Sequence, residues 1–250
     1  MPLDIVKASD VKYDIRKILI IGVEKSGKTR FIGTMPRPIL VFAGETGAES
    51  LFAGQQGIDI VQCYDLKGEA PGAGIRRFDK NFKELLMMKE VPYKTVALDP
   101  LSFLSDAIGR ELDRCNPGLK GSSSTFSYWG KLRDRHTDIL DKILSMAEYV
   151  VVTSHVRLNE DETTGSKSYL ADLQGSIRDS IGGWFDAVLF TKVVPQGTAA
   201  KYTLQAIPNA QKKCGVRVPM GMESKVGADL EPDYQKIMAT LMSTPTHGAK

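Results

Sequence analysis

A short glycine-rich segment carries the residue types and the spacing that bind phosphate groups. The segment has the sequence GVEKSGKT and consists of Gly22, Val23, Glu24, Lys25, Ser26, Gly27, Lys28 and Thr29. It matches the pattern G-x-x-x-x-G-K-[ST], in which backbone N–H groups surround the phosphates of a nucleotide. The lysine of this pattern contacts the β- and γ-phosphates, and the hydroxyl residue coordinates Mg²⁺. We therefore predict a phosphate-binding loop, with Lys28 on the phosphates and Thr29 on Mg²⁺.

A loop of this kind works with an acid at the end of a neighbouring buried strand, which holds Mg²⁺ through water. Asp99 ends the sequence TVALD and precedes Pro100. An Asp followed by Pro is also typical of a helix N-terminus, where the Asp caps the helix and the Pro begins it. Because the two roles are compatible, we predict that Asp99 is the second Mg²⁺-binding residue.

Two further polar residues follow apolar runs. Glu45 ends the sequence ILVFAGE, and His155 ends the sequence YVVVTSH. In open α/β sheets ligands bind outside the carboxyl ends of the strands, so both residues are expected at the same edge as the phosphate-binding loop. Each has a plainer interpretation, a solvated loop acid for Glu45 and a structural, hydrogen-bonded histidine for His155.

These residues need a sheet that brings the ends of several strands together. Short apolar runs recur along the chain with helical patterns between them, which is typical of parallel strands joined by helices. The predicted strands are Lys17–Ile21, Ile39–Ala43, Ile58–Gln62, 95–98, 149–153, 187–192 and 202–207. The predicted helices are 78–89, 101–114, 128–147, 176–184 and Tyr234–Met242. We predict an α/β fold, with a mostly parallel sheet and helices on both of its faces.

The remaining segments define the predicted domain organisation. Stretches rich in Gly, Ser, Pro or charged residues are predicted as surface loops at 67–74, 116–127 and 157–168. We find no internal repeat and no convincing linker. The predicted organisation is an N-terminal arm at 1–16, one continuous domain at 17–243 and a tail at 244–250.

Positive charge is concentrated near the end of the chain. The protein has 250 residues, of which 33 are Lys or Arg and 30 are Asp or Glu, so its formal net charge is +3. Residues 1–191 contain 25 basic and 26 acidic residues, whereas the remainder contains 8 and 4. The basic excess therefore lies in the last quarter and includes a basic segment at 192–220. Lys212, Lys213 and Arg217 stand close together in this segment.

The composition argues against several classes of protein. With 42% hydrophobic and 25% charged residues, the chain has the composition of an ordinary globular protein. Its 3 widely spaced cysteines argue against a disulfide framework and against a cysteine-based zinc site. No run approaches the roughly 20 apolar residues of a membrane span, and the acidic N-terminus is unlike a signal peptide. We expect a cytoplasmic protein without a membrane partner.

The base of the nucleotide is predicted from a missing motif. A guanine-nucleotide switch protein is expected to carry Asn/Thr-Lys-x-Asp late in the chain, and no such element with the required strand context is present. We therefore expect ATP and Mg²⁺ as the cofactors.

Several of these segments together resemble a known family. The stretches KILIIG, SGKT, FAGETGAESL, TVALDPLS, VVVTSH and GGWFDAVLF resemble the phage-encoded RecA-like P-loop ATPases, which include AAA-type nucleotide-binding proteins and single-strand annealing recombinases. The resemblance covers residues 16–192. It implies a RecA-like ATPase core, ATP hydrolysis, single-stranded DNA as a ligand, and self-association into a ring or filament. It further implies a single-strand binding protein as a partner, and the bacterial host's cytoplasm as the location.

The resemblance also assigns roles to individual residues. Glu45 matches the catalytic glutamate that orients and deprotonates the attacking water, and His155 matches a polar sensor of the γ-phosphate. The segments at 116–127 and 157–168 match DNA-facing loops, although the acids of the second would repel phosphates. In the first, Lys120 is the one lysine. Pro100 departs from the family, which usually has a small hydroxyl residue there.

The basic segment has three possible roles. In RecA-like assemblies, cations from near this position reach the γ-phosphate bound to the neighbouring subunit, which implies such a role for Lys212, Lys213 or Arg217. Direct contact with the nucleic-acid backbone is the second role, and a solvated basic hairpin is the third. The residue types do not decide among them.

Two other functions remain open for the whole protein. A P-loop small-molecule kinase would use the same loop, but it needs an acceptor pocket and a lid with arginines, and no lid pattern stands out. A nucleotide-gated scaffold or adaptor would bind ATP and hydrolyse it slowly. The resemblance favours an ATPase of phage DNA recombination or replication that binds single-stranded DNA as an oligomer.

Overall fold

The computed structural model describes residues 6–117, 125–197 and 199–243, and the elements named below belong to these ranges. The strands of the main sheet and of one separate hairpin are β1 Lys17–Ile21, β2 Ile39–Ala43, β3 Ile58–Gln62, β4 Thr95–Asp99, β5 Tyr149–Ser154, β6 Val156–Glu160, β7 Lys167–Ala171, β8 Ala187–Gln196, β9 Ala199–Gln205, β10 Gly215–Val216 and β11 Asp229–Leu230. The helices are α1 Lys28–Ile32, α2 Ala48–Leu51, α3 Ala73–Met87, α4 Leu101–Cys115, α5 Thr125–Met146, α6 Ile177–Ser180 and α7 Tyr234–Met242.

The main sheet has the strand order β11-β9-β8-β1-β5-β4-β2-β3, with β10 paired to the start of β8. The strands from β8 to β3 are parallel to one another, and β9, β10 and β11 pair antiparallel to their neighbours. Strand β5 therefore lies between β1, which leads into the phosphate-binding loop, and β4, which ends at Asp99. This sheet confirms the predicted α/β, RecA-like fold class.

The central strands are apolar throughout because helices cover both faces of the sheet. Side chains alternate between the faces along each strand. In β1, Leu19 and Ile21 join a core formed with α3, α4 and α5, whereas Ile18 and Ile20 join a core formed with α1 and α7. The same alternation places Phe42 in the first core, where its ring packs edge-on against the rings of two α3 phenylalanines.

The register of the sheet aligns the ends of its parallel strands. Ile21 is level with Ser154 of β5 and with Phe190 of β8. Ala43 is level with Asp99. The residues that follow β1, β2, β4 and β5 therefore emerge at one edge of the sheet, as predicted.

The segment at 157–168, predicted as a loop, forms most of an antiparallel hairpin. Strand β6 pairs with β7, and the turn between them is closed by Asp161, whose carboxylate accepts hydrogen bonds from Thr163 N at 2.9 Å and Thr164 N at 2.8 Å. The loop prediction was wrong because β6 is exposed along nearly its whole length. A strand without a buried face lacks the apolar alternation by which strands are recognised.

Two helices also differ from their predicted bounds. Helix α3 begins at Ala73, inside a predicted loop, because the Asp65 carboxylate accepts hydrogen bonds from Gly72 N at 2.8 Å and Gly74 N at 2.7 Å. The predicted helix at 176–184 is divided into α6 and a 3₁₀ turn at Ile181–Trp184. Two adjacent glycines in that turn weaken a continuous α-helix. None of the helices in the described ranges has the length and apolar character of a membrane span.

Candidate active site

The phosphate-binding loop connects β1 to α1 and depends on the conformation of its glycines. Gly27 precedes the helix with φ at 91°, in the left-handed region that favours glycine. Gly22 lies against β8 so closely that an added Cβ atom would be 1.6 Å from Thr191 Oγ1. The loop therefore needs glycine at both positions, at one for its turn and at the other for its close approach to β8.

A buried pair of hydroxyls ties the loop to the sheet. Thr191 Oγ1 donates a hydrogen bond to Ser26 Oγ at 2.7 Å, and Ser26 Oγ donates to Val23 O at 2.6 Å. Ser26 is 3% exposed and Thr191 is 9% exposed, so water competes little for these bonds. The loop is held in shape by β8, a strand on the side of β1 away from the acids.

Lys28 points back into the loop. Its Nζ donates hydrogen bonds to Gly22 O at 3.0 Å and to Val23 O at 2.7 Å, and it lies 3.4 Å from His155 Nδ1. Burial lowers the pKa of Lys28, while the nearby Asp99 and Glu45 carboxylates oppose this shift. The ammonium group is thus positioned where phosphate oxygens enter the loop in this motif.

Asp99 is buried at the carboxyl end of β4, at 2% exposure. Its carboxylate accepts hydrogen bonds from the hydroxyls of Thr153 and Thr29. Burial raises the pKa of Asp99, and these hydrogen bonds and Lys28 counteract the increase. The carboxylate and the Thr29 hydroxyl are therefore adjacent, as the predicted metal site requires.

This pair fits Mg²⁺ in the way that nucleotide-binding loops hold it. Mg²⁺ prefers oxygen ligands and usually binds one or two protein groups together with substrate phosphates and water. Among the described residues no group of three or more His, Cys, Asp and Glu side chains is placed to hold a metal by itself. Thr29 and Asp99 would therefore hold the ion in company with a nucleotide.

Glu45 and His155 meet beside Lys28. His155 Nε2 lies 3.3 Å from Glu45 Oε2. A lysine ammonium only donates, so Nδ1 of a neutral His155 accepts from Lys28 and Nε2–H donates to Glu45. The hydrogen bond from His155 lowers the pKa of Glu45, against the opposing effect of burial. Glu45 is thus held as a carboxylate, the form that accepts a proton from water.

A cleft of about 410 Å³ lies over this group of residues. The loop, Glu45 and Asp99 line it, and so does Tyr202 of β9. The Tyr202 ring covers Gly27, since a Cβ atom added to that glycine would lie 3.3 Å from Tyr202 Cδ1. An aromatic ring at the wall of a nucleotide cleft offers a flat apolar face to a base.

None of the three predicted cations is among the described residues that line this cleft. Lys212 Nζ is 5.5 Å from the Phe190 ring centroid and donates to Gln205 Oε1 at 3.4 Å, so it packs on the sheet. Arg217 donates to Gly183 O at 2.7 Å and lies near the start of β8, at the opposite end of the parallel strands. Lys213 is exposed.

The structure describes one of the two predicted DNA-facing segments in full and the other only in part. Most of the segment at 116–127, including Lys120, lies outside the described residues. The segment at 157–168 begins two residues after His155, in the hairpin of β6 and β7. Within this hairpin, the residues of β6 after Val156 are exposed.

Sequence reasoning missed four residues that position the site. Thr153 donates to Asp99, Thr191 donates to Ser26, and Ser102 Oγ accepts from His155 N at 3.1 Å. Tyr202 covers the loop. Thr153 and Ser102 carried a usable signal, because each lies within three residues of a predicted site residue. Thr191 and Tyr202 are distant in sequence and become visible only in the folded sheet.

One protein family and several solved structures are similar to this chain. A family model described as an AAA domain matches residues 15–217. No curated protein matches the chain in sequence. Among solved structures, the chain is similar to the flagellar accessory protein FlaH from Methanocaldococcus jannaschii, with 9% identity, 76% of this chain and 78% of that chain covered, and a TM-score of 0.36. It is also similar to a KaiC-like protein from Pyrococcus horikoshii OT3, with 13% identity, 76% and 77% covered, and a TM-score of 0.39.

Proposed function

The chain belongs to the AAA domain family, and from this premise we propose that it hydrolyses ATP with Mg²⁺ and couples hydrolysis to single-stranded DNA. The observation that carries the proposal is the convergence of Lys28, Glu45 and Asp99 at one edge of the sheet. Phosphoryl transfer asks a protein chiefly for positioning and charge stabilisation, and this edge supplies both.

In the proposed reaction a water molecule attacks the γ-phosphate and passes a proton to Glu45. Glu45 suits this role because the hydrogen bond from His155 keeps it ionised. Lys28 contacts the phosphates and offsets the charge that moves onto the leaving ADP. Thr29, and Asp99 through water, would hold Mg²⁺, which would supply further neutralisation of phosphate charge.

His155 lies between the phosphate-binding Lys28 and the proposed base Glu45. It contacts both Lys28 and Glu45. A phosphate that draws Lys28 toward itself would therefore change the contact between Lys28 and His155. Strand β6 starts at the next residue, Val156. We propose that His155 reports the γ-phosphate to this hairpin, in keeping with the sensor role that the resemblance implies.

The DNA part of the proposal rests on the resemblance to phage RecA-like ATPases. The protein is proposed to act in phage DNA recombination or replication, as an oligomer on single-stranded DNA, together with a single-strand binding protein. Lys213 is exposed and Arg217 lies at the far end of the strands, so each suits contact with DNA or with a neighbouring copy better than contact with its own nucleotide.

The test is the ATPase rate with and without single-stranded DNA at two salt concentrations. The proposal predicts stimulation by DNA that weakens steeply as salt rises, since counterions compete for the phosphates. Absence of DNA binding at low salt, with and without ATP, would contradict the DNA part. ADP release that depends on a small-molecule acceptor would instead support the kinase.

A further inference from the structure

A second cavity, of about 610 Å³, adjoins the nucleotide cleft and shares Glu45 and Thr46 with it. Its other walls come from the segment before α3 and from one face of α4, and we call it the α4 cavity. The residues that matter to its chemistry are Cys63, Asp65, Ile75, Phe103, Ala107, Arg110, Glu111 and Arg114. We propose that the α4 cavity binds one nucleotide unit, an unpaired base together with its phosphate.

One face of α4 provides a flat surface for a base. Phe103, Ala107 and Arg110 follow one another on this face at helical spacing, and all three line the cavity. The Arg110 guanidinium carbon lies 5.9 Å from the centroid of the Phe103 ring, so the cation rests over the ring. Aromatic rings and guanidinium planes are the surfaces on which unpaired bases stack. Buried Ile75 and Cys63 make the cavity floor apolar.

The charges around the cavity leave a cation available for phosphate. The Asp65 carboxylate accepts hydrogen bonds from two backbone N–H groups, and Glu111 is bound by the Arg114 guanidinium, with Nε 2.9 Å from Oε2. Asp65, in the segment before α3, and Glu111, on α4, therefore already have partners. Arg110 rests over the ring of Phe103 and helps to lower the pKa of the Asp65 carboxyl, but among the described residues it donates no hydrogen bond to a carboxylate, so its N–H groups remain suited to a phosphate.

A ligand in the α4 cavity would affect Glu45 through the preceding residue, Gly44. A Cβ atom added to Gly44 would lie 3.3 Å from Phe103 Cβ and 3.1 Å from Pro100 O, so the backbone before Glu45 rests directly on Phe103. Gly44 N also donates to Asp99 O at 2.8 Å. A base stacked on Phe103 therefore constrains the segment that carries Glu45. This coupling, which rests on the proposed ATPase function, predicts that the ligand accelerates hydrolysis.

Nucleotide units reach the cavity from one of two sources, a DNA strand or a free nucleotide. We test both with the full-length chain, using a short oligodeoxythymidine and thymidine monophosphate as probes. The readouts are probe affinity, the ATPase rate, and the sites of ultraviolet crosslinks between thymine and protein. The variants are Arg110→Gln and Phe103→Leu, and the matched control is Arg133→Gln on α5, whose side chain is 59% exposed.

The inference predicts thymine crosslinks on Phe103 or its cavity neighbours. Arg110→Gln should keep the wild-type rate without probe, bind the oligonucleotide about tenfold more weakly and lose the stimulation, because it removes the guanidinium plane on which a base stacks. The Arg133→Gln control should match the wild type.

Other outcomes separate this inference from the proposed function. If the oligonucleotide stimulates wild type, Arg110→Gln and Phe103→Leu equally and crosslinks elsewhere, the cavity assignment is wrong and the DNA function stands. If only thymidine monophosphate binds and crosslinks in the cavity, the assignment holds for a free nucleotide and the DNA function is wrong. If the wild type binds neither probe, the cavity assignment is wrong as well.

Discussion

Lys28, His155 and Glu45 form an unbroken series of polar contacts beside the buried Asp99. The imidazole is the central member, since it accepts from the lysine and donates to the glutamate. This geometry gives His155 a measurable effect on its neighbour. Its hydrogen bond is the largest influence on the pKa of Glu45 and holds it below the usual range of a glutamate.

The pH dependence of hydrolysis should therefore change in His155→Leu. In the proposed reaction Glu45 acts as a carboxylate, so activity should fall as pH decreases through its pKa, and a lowered pKa should preserve activity to lower pH. Removing the donor raises that pKa, and the acidic limb of the kcat profile should move to higher pH. His155→Gln, which keeps an N–H donor, should move it less. Identical acidic limbs in all three proteins would mean that His155 does not control Glu45.

Asp99→Asn should stabilise the protein while removing the proposed Mg²⁺ site. A carboxylate at 2% exposure is costly to bury, and its raised pKa shows that burial outweighs its hydrogen bonds. Without nucleotide, the neutral amide should raise Tm by about 2–4 °C, or about 1 kcal/mol. The stabilisation that Mg²⁺ and ATP give the wild type should be lost.

Thermal denaturation with and without Mg²⁺ and ATP measures both effects of this substitution. Asp134→Asn is the control, because the Asp134 side chain is 72% exposed on α5. It should change neither Tm nor the response to Mg²⁺ and ATP. A lower Tm for Asp99→Asn without nucleotide would show that the carboxylate stabilises the fold, contrary to our interpretation.

At the level of single residues, sequence located the candidate site residues better than the residues that hold them in place. Lys28, Thr29 and Asp99 carry motif positions, and strand ends identified Glu45 and His155. Their partners could not be found in the same way. A threonine in a β-strand is common, and only the pairing of β4 with β5 brings the Thr153 hydroxyl to the Asp99 carboxylate.

Strand β8 acts as a support for the phosphate-binding loop, which makes Thr191 a test of the role of this element. Thr191→Val keeps the shape of the side chain and removes the hydroxyl that donates to Ser26. We expect ATP affinity to fall about fivefold, corresponding to about 1 kcal/mol for one buried hydrogen bond. Equilibrium titration with a fluorescent ATP analogue measures this.

Thr203→Val provides a matched control on the adjacent strand β9. Thr203 is 7% exposed, and its hydroxyl oxygen is buried without a hydrogen-bond partner among the described residues. Its removal should leave ATP affinity unchanged and should not lower stability. Equal loss of affinity in the two variants would show that any change in these strands disturbs the cleft, and that the bond to Ser26 has no special role.

Elements were predictable where their sequence reflects burial. The strands β1, β2 and β3 were predicted at their observed bounds because each is a short run in which apolar residues predominate, bounded by turns. The hairpin of β6 and β7 was missed because β6 is exposed along nearly its whole length, and the start of α3 was missed because it is capped by Asp65 from outside the helix. The first failure reflects a strand without a buried face, and the second reflects a capping contact that the helix's own sequence does not encode.

The order of the strands determines which parts of the whole molecule can act on one nucleotide. Arg217 N donates to Asp186 O, and Asp186 N donates to Lys17 O, so Arg217 lies beside the first residue of β1. The phosphate-binding loop follows the last residue of β1, about 13 Å further along the strand. A phosphate contact by Arg217 would therefore be made most readily to DNA or to the nucleotide of a neighbouring copy.

The central claim is that the edge formed by the phosphate-binding loop, Glu45 and Asp99 hydrolyses ATP. Single-turnover hydrolysis of ATP with Mg²⁺, measured together with ATP affinity in the wild type, Glu45→Gln and Lys28→Ala, tests it most directly. We predict that Glu45→Gln binds ATP with near wild-type affinity and hydrolyses it at least about 100-fold more slowly, whereas Lys28→Ala loses both binding and hydrolysis. Hydrolysis by Glu45→Gln at the wild-type rate would contradict the account.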